Sequence, residues 1–241
     1  MKSAIRCLLL QVRDADDPMR EHEVGCFARA LEVRQDDIAV HDLLDGVMDQ
    51  QVIEQTDIVL FGGSGSYSAA GEGDWLERAL DTIKQVHAVA KPTFASCWGF
   101  QAMARALGGR VVTDPDRSEV GTHRLTLTEA GLADPVFGPV GPTFYGQMGH
   151  EDRVAELPPG AIRLASSALV ENQAYRFDGL PIYCTQFHPE LRADDLIVRI
   201  QAYPEYIERI AGVSLEDFIA GLRKTPETES LLKRFVEEYV L

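Results

Sequence analysis

The chain has 241 residues, of which 45% are hydrophobic, 25% charged and 8% aromatic, an ordinary globular composition long enough for one substantial core. Its formal net charge of −15 repels phosphate backbones and anionic lipid surfaces, which argues against nucleic-acid and membrane binding. The apolar run 7–10 is too short for a signal peptide or a membrane span, and the four cysteines form no C-x-x-C pair, so the reading is a protein of a reducing cytoplasm without a zinc site or disulfide framework.

Residues 4–12 (AIRCLLLQV), 57–61 (DIVLF) and 92–97 (PTFASC) read as short, nearly continuous apolar strands, the pattern of a sheet covered on both faces. Between them, 18–34 carries Val24, Phe27, Ala28 and Leu31 at helical spacing. Likewise 72–90 sets Trp75, Leu76, Ala79, Leu80, Ile83 and Val86 on one side. Strand, helix, strand, helix predicts parallel pairing through right-handed crossovers. A helix over 98–107 follows the third strand. From 109 to 187 come strand-like runs such as 122–128 (THRLTLT), 162–170 (IRLASSALV) and 180–187 (LPIYCTQF), separated by Gly, Pro and Asp turns, which predict a mixed or antiparallel edge. The remainder, 191–241, is helical in pattern and ends on a stripe of Leu231, Leu232, Phe235, Val236 and Tyr239. That stripe suits packing against the body, or a homodimer contact.

Three segments carry candidate chemistry. In Phe94, Ala95, Ser96, Cys97, Trp98, Gly99, a cysteine stands where a buried strand turns into a helix, flanked by small residues. Such an elbow lifts the side chain out of the sheet, and the helix N-terminus favours a thiolate. Taken alone, Cys97 serves equally well as a small buried hydrophobe. In Gln186, Phe187, His188, Pro189, Glu190, a histidine follows a core strand and positions two apart project to the same side, so Glu190 reaches the ring. An ordinary strand-end histidine beside a solvated glutamate is the alternative. The run Gly62, Gly63, Ser64, Gly65, Ser66 lets backbone N–H groups approach a ligand, but lacks the Lys-Ser/Thr of a phosphate-binding loop. A flexible turn is the alternative for this run.

In this order the three segments resemble the class I glutamine amidotransferases, the family that includes the glutaminase part of GMP synthetase. The family's G-x-C-x-G-x-Q elbow stands here as A-S-C-W-G-F-Q, its G-G-P-x-S loop as G-G-S-G-S, and its H-P-E as Q-F-H-P-E, over roughly residues 4–190. The resemblance implies an α/β, flavodoxin-like open and mostly parallel sheet with helices on both faces, a small antiparallel edge and a helical tail. It also implies a domain over 1–190 with 191–241 packed on it as an extension.

Carried over position by position, it implies Cys97 as nucleophile, His188 as base and acid, and Glu190 as its orienter. Gly63 and Trp98 would offer oxyanion N–H groups, and Gly62, Gln101, Gly149 and His150 would contact substrate. Ala95 for Gly, Ser64 for Pro and Gly149 for Ser depart from the family pattern. The implied reaction is cleavage of the γ-amide of glutamine or a γ-glutamyl compound through a thioester, without metal or organic cofactor. A stand-alone γ-glutamyl peptidase, a glutaminase subunit feeding ammonia to a separate synthetase partner, and a non-catalytic binding module are the competing roles. The tail resembles the peptidase branch more than a minimal subunit. His22, His41, His87 and His123 lack metal-ligand spacing and receive no role.

Overall fold

The computed structural model describes residues 5–204 and 206–241. Residue 4 of the first expected strand lies outside the described residues, as do 1–4 of the first expected domain and 205 of the second. Strands β1 (Cys7–Val12), β2 (Ile38–Asp42), β3 (Ile58–Ser64) and β4 (Thr93–Ser96) alternate with helices α1 (Met19–Leu31), α2 (Gln50–Gln55) and α3 (Asp74–Ala88), and α4 (Trp98–Ala106) follows β4. Next come β5 (Arg110–Thr113), β6 (Glu119–Leu127), α5 (Glu129–Ala133), β7 (Thr143–His150), β8 (Asp152–Glu156), β9 (Ala161–Ser167), β10 (Ala174–Phe177) and β11 (Ile182–Thr185). The chain ends in α6 (Ala193–Ala202), α7 (Leu215–Gly221), α8 (Pro226–Glu229) and α9 (Leu231–Tyr239), with a π-helical turn at Ile207–Ala211.

Nine strands form one sheet in the order β2-β1-β3-β4-β11-β10-β9-β6-β7, while β5 and β8 pair separately and antiparallel. Pairing is parallel from β2 to β11 and antiparallel from β11 to β7. The inner parallel strands β1, β3 and β4 read as continuous apolar runs because both of their faces are covered. Cys7 and Leu9 of β1 join the layer containing Phe27 and Leu31 of α1 and Phe235 of α9. Leu8, Leu10 and Val12 point into the layer of Leu76, Ile83 and Phe100 from α3 and α4. Leu231, Leu232, Phe235 and Val236 are thus part of the main core.

Two differences from the sequence reading have plain causes. β2 escapes notice because it is an edge strand in which only Ile38 and Asp42 are buried, so no continuous apolar run marks it. The run 162–170 stops pairing at Ser167, where the Ser167 N–H turns to the Val170 carbonyl. The functional consequence of the topology lies at the C-terminal ends of β3, β4 and β11, which are adjacent in the parallel sheet and bring the glycine loop, Cys97 and His188 to one edge.

Candidate active site

Cys97 sits directly after β4 with φ 51° and ψ −105°, one of three non-glycine residues with positive φ among the described residues. This positive-φ backbone is costly for a residue with a Cβ and persists only where the surroundings enforce it. Here they do. The Cys97 N–H donates to the Thr185 carbonyl of β11 at 2.8 Å, and the next turn is pressed against the sheet at Gly99. A methyl group at Gly99 would lie 2.4 Å from Phe61 Cβ and 3.2 Å from Ala95 Cβ, so the helix can start this close to β3 only with glycine there. Trp98, as the first residue of α4, has no carbonyl within the helix for its N–H.

His188 and Glu190 are both buried, and His188 Nδ1 lies 2.6 Å from Glu190 Oε1. The His188 N–H is tied to the Gln147 carbonyl of β7 at 3.0 Å. Burial alone would lower the imidazolium pKa, but the Glu190 carboxylate and the Cys97 sulfur outweigh it and push it up to about 9. Burial would likewise raise the Glu190 carboxyl, yet the facing imidazole and Arg199 hold it below the usual carboxylate range. Cys97, His188, Gly63 and Gly149 line one small recess of about 30 Å³, walled further by Leu196 and Arg199. Space of that size holds about one or two water-sized molecules. A larger cavity of about 290 Å³ also borders Cys97, between Ser64–Ser68 and Gly149–Asp152.

Trp98, Gln101, Gly149 and His150 line this larger cavity. Gln101 Nε2 donates to the Asp152 carbonyl at 2.8 Å and to Gln186 Oε1 at 3.1 Å, so both of its amide hydrogens are held by protein. His150 is buried, with Nδ1 3.1 Å from the Asp152 carbonyl and Nε2 3.2 Å from Glu119 Oε2. Its ring nitrogens therefore brace the wall. The Cys97 thiol is 3.7 Å from the Gly149 carbonyl and 3.9 Å from Gln186 Nε2.

Gly62 stands apart from the substrate contacts expected of it. It lines neither cavity, because its open side is covered by Glu23: a methyl group at Gly62 would lie 2.3 Å from Glu23 Oε1. Gly63 borders the small recess, but its N–H donates to Glu23 Oε1 at 3.1 Å. Glu23 belongs to a buried ionic cluster invisible to motif reading. Arg13 Nη2 reaches Glu23 Oε1 at 3.2 Å, and Arg199 Nη2 lies 3.4 Å from the same oxygen and 3.9 Å from Glu190 Oε1. A signal was present in the sequence: Glu23 lies four residues after Met19 and four before Phe27, on the buried stripe of α1, where a carboxylate must have partners.

His22, Cys26 and Asp195 bring ligand atoms within 4.8 Å of one another, the group among the described residues able to approach a metal ion together. Its surroundings oppose a dication. Arg29 is hydrogen-bonded to Asp195, and burial pushes the Cys26 thiol up to about 12, away from the thiolate that a metal ligand must be. No helix among the described residues is long and apolar enough to cross a membrane.

The family model described as glutamine amidotransferase class-I matches residues 22–196. The chain is 31% identical over 165 residues to gamma-glutamyl peptidase 4 of Arabidopsis thaliana, an alignment covering 65% of this chain and 65% of that protein. It is 30% identical over 182 residues to the glutamine-hydrolyzing GMP synthase of Flavobacterium psychrophilum, covering 72% of this chain and 34% of that one. The chain thus spans about two thirds and one third of these relatives' lengths. A crystal structure of a glutamine amidotransferase from Thermotoga maritima has the same fold, with a TM-score of 0.78 over 99% of both chains at 20% identity. With that family model spanning most of the chain, from α1 through the elbow and the His188–Glu190 pair into α6, the protein belongs to the class I glutamine amidotransferase family.

Proposed function

We propose that this chain hydrolyses the γ-amide of glutamine or of a γ-glutamyl compound, with Cys97 as nucleophile, His188 as base and acid, and Glu190 as the orienter of His188. The observation that carries it is the strained elbow at Cys97 opening onto the same recess as a buried His188–Glu190 pair 2.6 Å apart. An imidazolium pKa pushed up by Glu190 and the Cys97 sulfur suits His188 to accept and hold a proton beside the nucleophile. The thiolate attacks the carboxamide carbon, a C–S bond forms, and the carbonyl electron pair moves to oxygen. His188 gives its proton to the nitrogen as the C–N bond breaks, leaving a γ-glutamyl thioester. Water then attacks, His188 takes its proton, and glutamate leaves as the thiolate re-forms. The Trp98 N–H, and that of Gly63 once free, stabilise the oxyanion of each addition.

The larger cavity, with Gln101, Gly149 and His150 in its wall, suits the glutamyl head. The small recess beside His188 suits the departing nitrogen, which must sit where the imidazolium can protonate it. A second role, as a glutaminase subunit feeding a separate synthetase in the cytoplasm, is favoured by 32% identity over 121 residues to a glutamine-hydrolyzing GMP synthase subunit of Methanothermobacter thermautotrophicus, across 50% of this chain and 63% of that one. In either role 191–241 acts as an extension of the 1–190 domain, a reading supported by the four α9 side chains in the main core.

Trapping tests the nucleophile. An electrophilic glutamine analogue is expected to leave one γ-glutamyl-type adduct, mapped by peptide mass spectrometry to Cys97. An adduct confined to Cys7, Cys26 or Cys184, or none at all, would sink the assignment.

A further inference from the structure

The N–H that the proposed mechanism asks of the glycine loop is already in use. Gly63 donates it to Glu23 Oε1 at 3.1 Å, in a fully buried setting. A carboxylate holding this donor competes with any oxyanion for it, and its own charge repels a second negative charge arising nearby. The loop itself sits where an oxyanion donor belongs: a methyl group at Gly63 would lie 3.1 Å from His188 Cε1.

Glu23 does not depend on that one donor. Gln11 Nε2 reaches Glu23 Oε2 at 2.9 Å, Arg13 Nε reaches Oε2 at 3.3 Å and Arg13 Nη2 reaches Oε1 at 3.2 Å, while Arg199 Nη2 lies 3.4 Å from Oε1. Both carboxylate oxygens stay hydrogen-bonded when the Gly63 N–H leaves, so the exchange strands no buried charge. The two adjoining glycines also lack the Cβ atoms that would resist rotation of the 62–63 peptide.

We propose that Glu23 is a positioning residue of the oxyanion site: it withholds the Gly63 N–H in the unliganded enzyme and surrenders it to the substrate oxygen as Cys97 adds. This rests on the reading of Cys97 as nucleophile and Gly63 as oxyanion donor. Before substrate arrives the site offers the Trp98 N–H; the second donor is recruited by the reaction itself. Part of the binding energy of the oxyanion is thus spent on breaking the Glu23 bond.

Glu23→Gln keeps the side-chain shape and exchanges a charged acceptor for a neutral one, about half as strong. The expected result is a kcat raised about threefold to tenfold with KM little changed. Alkylation of Cys97 by iodoacetamide, which needs a thiolate but no oxyanion donor, should keep its wild-type rate. A kcat that is unchanged, lowered, or raised only in step with alkylation overturns the proposal. Should the variant fail to fold, the wild-type protein decides. An aldehyde analogue of glutamine accepts the Cys97 sulfur at its carbonyl carbon, and the thiol proton ends on the new hemithioacetal oxygen. A crystal structure of that adduct should show the Gly63 N–H on this oxygen and out of reach of Glu23. A formed adduct with the Glu23 bond intact overturns the proposal, whereas no adduct on Cys97 overturns the functional reading beneath it.

Discussion

The two sides of the candidate site are held in place by different forces. On the elbow side, Cys97 is fixed by shape: Gly99 lies flat against Phe61 and Ala95, and the surrounding layer of Leu8, Leu10, Phe100 and Met103 is apolar. On the histidine side, position is set by charge, through Glu190, Arg199, Glu23 and Arg13, all of them buried. The elbow is a turn made by consecutive residues, although the wall it presses against, Phe61, comes from β3. The ionic cluster is assembled from distant segments, since its members need only meet in space. The first kind is disturbed by added volume; the second loses stability when a charge is removed.

Removing the orienting charge should have the largest effect. Glu190→Gln is expected to lower kcat by about 10³-fold or more, because the imidazole loses both its fixed orientation and the partner of its protonated form. The same variant tests the pH linkage. With the His188 pKa raised from 6.5 to about 9, the stability contributed by the protonated ring is complete below about pH 6.5 and fades as pH rises through about 9. Denaturant unfolding of the wild type at a series of pH values should show that decline, and Glu190→Gln should flatten it. A variant with wild-type kcat and an unaltered slope would break the contrast between the two sides.

Adding volume on the other side comes next. Gly99→Ala forces a methyl group into Phe61, which is expected to cost about 1–3 kcal/mol of stability and, by shifting Cys97 off its line of attack, about 100-fold in kcat. A kinetic and unfolding comparison with the wild type checks both. If the variant is fully active, the elbow is not held by sterics at all. Arg199→Met sharpens the comparison further. It keeps the side-chain length but leaves Glu23 and Glu190 with one cation fewer, and should destabilise the fold by about 3–5 kcal/mol in urea titrations. A loss as small as that of an exposed ion pair would show that the buried cluster contributes little.

The same division explains what could be read from the sequence. The parallel half of the sheet was legible at 57–61 and 92–97, because strands covered on both faces are written as unbroken apolar runs. The elbow, glycine loop and His-Pro-Glu segment are each a few consecutive residues, and topology brings them to one edge as the motif order implies. β2 was not legible, being an exposed edge. Nor were Glu23 and Arg199, whose meaning depends on each other and on Gly63, 40 residues from Glu23 in sequence. Gly62 illustrates the limit: the motif marks the glycine, but the carboxylate that covers its open side comes from the distant segment α1.

Glutamate release by the purified protein, from glutamine and from a panel of γ-glutamyl dipeptides, with wild type beside Cys97→Ala, tests the central claim most directly. Turnover by the wild type that disappears in Cys97→Ala is the expected result. Turnover that survives the substitution, or release from none of these substrates by the wild type, would contradict it.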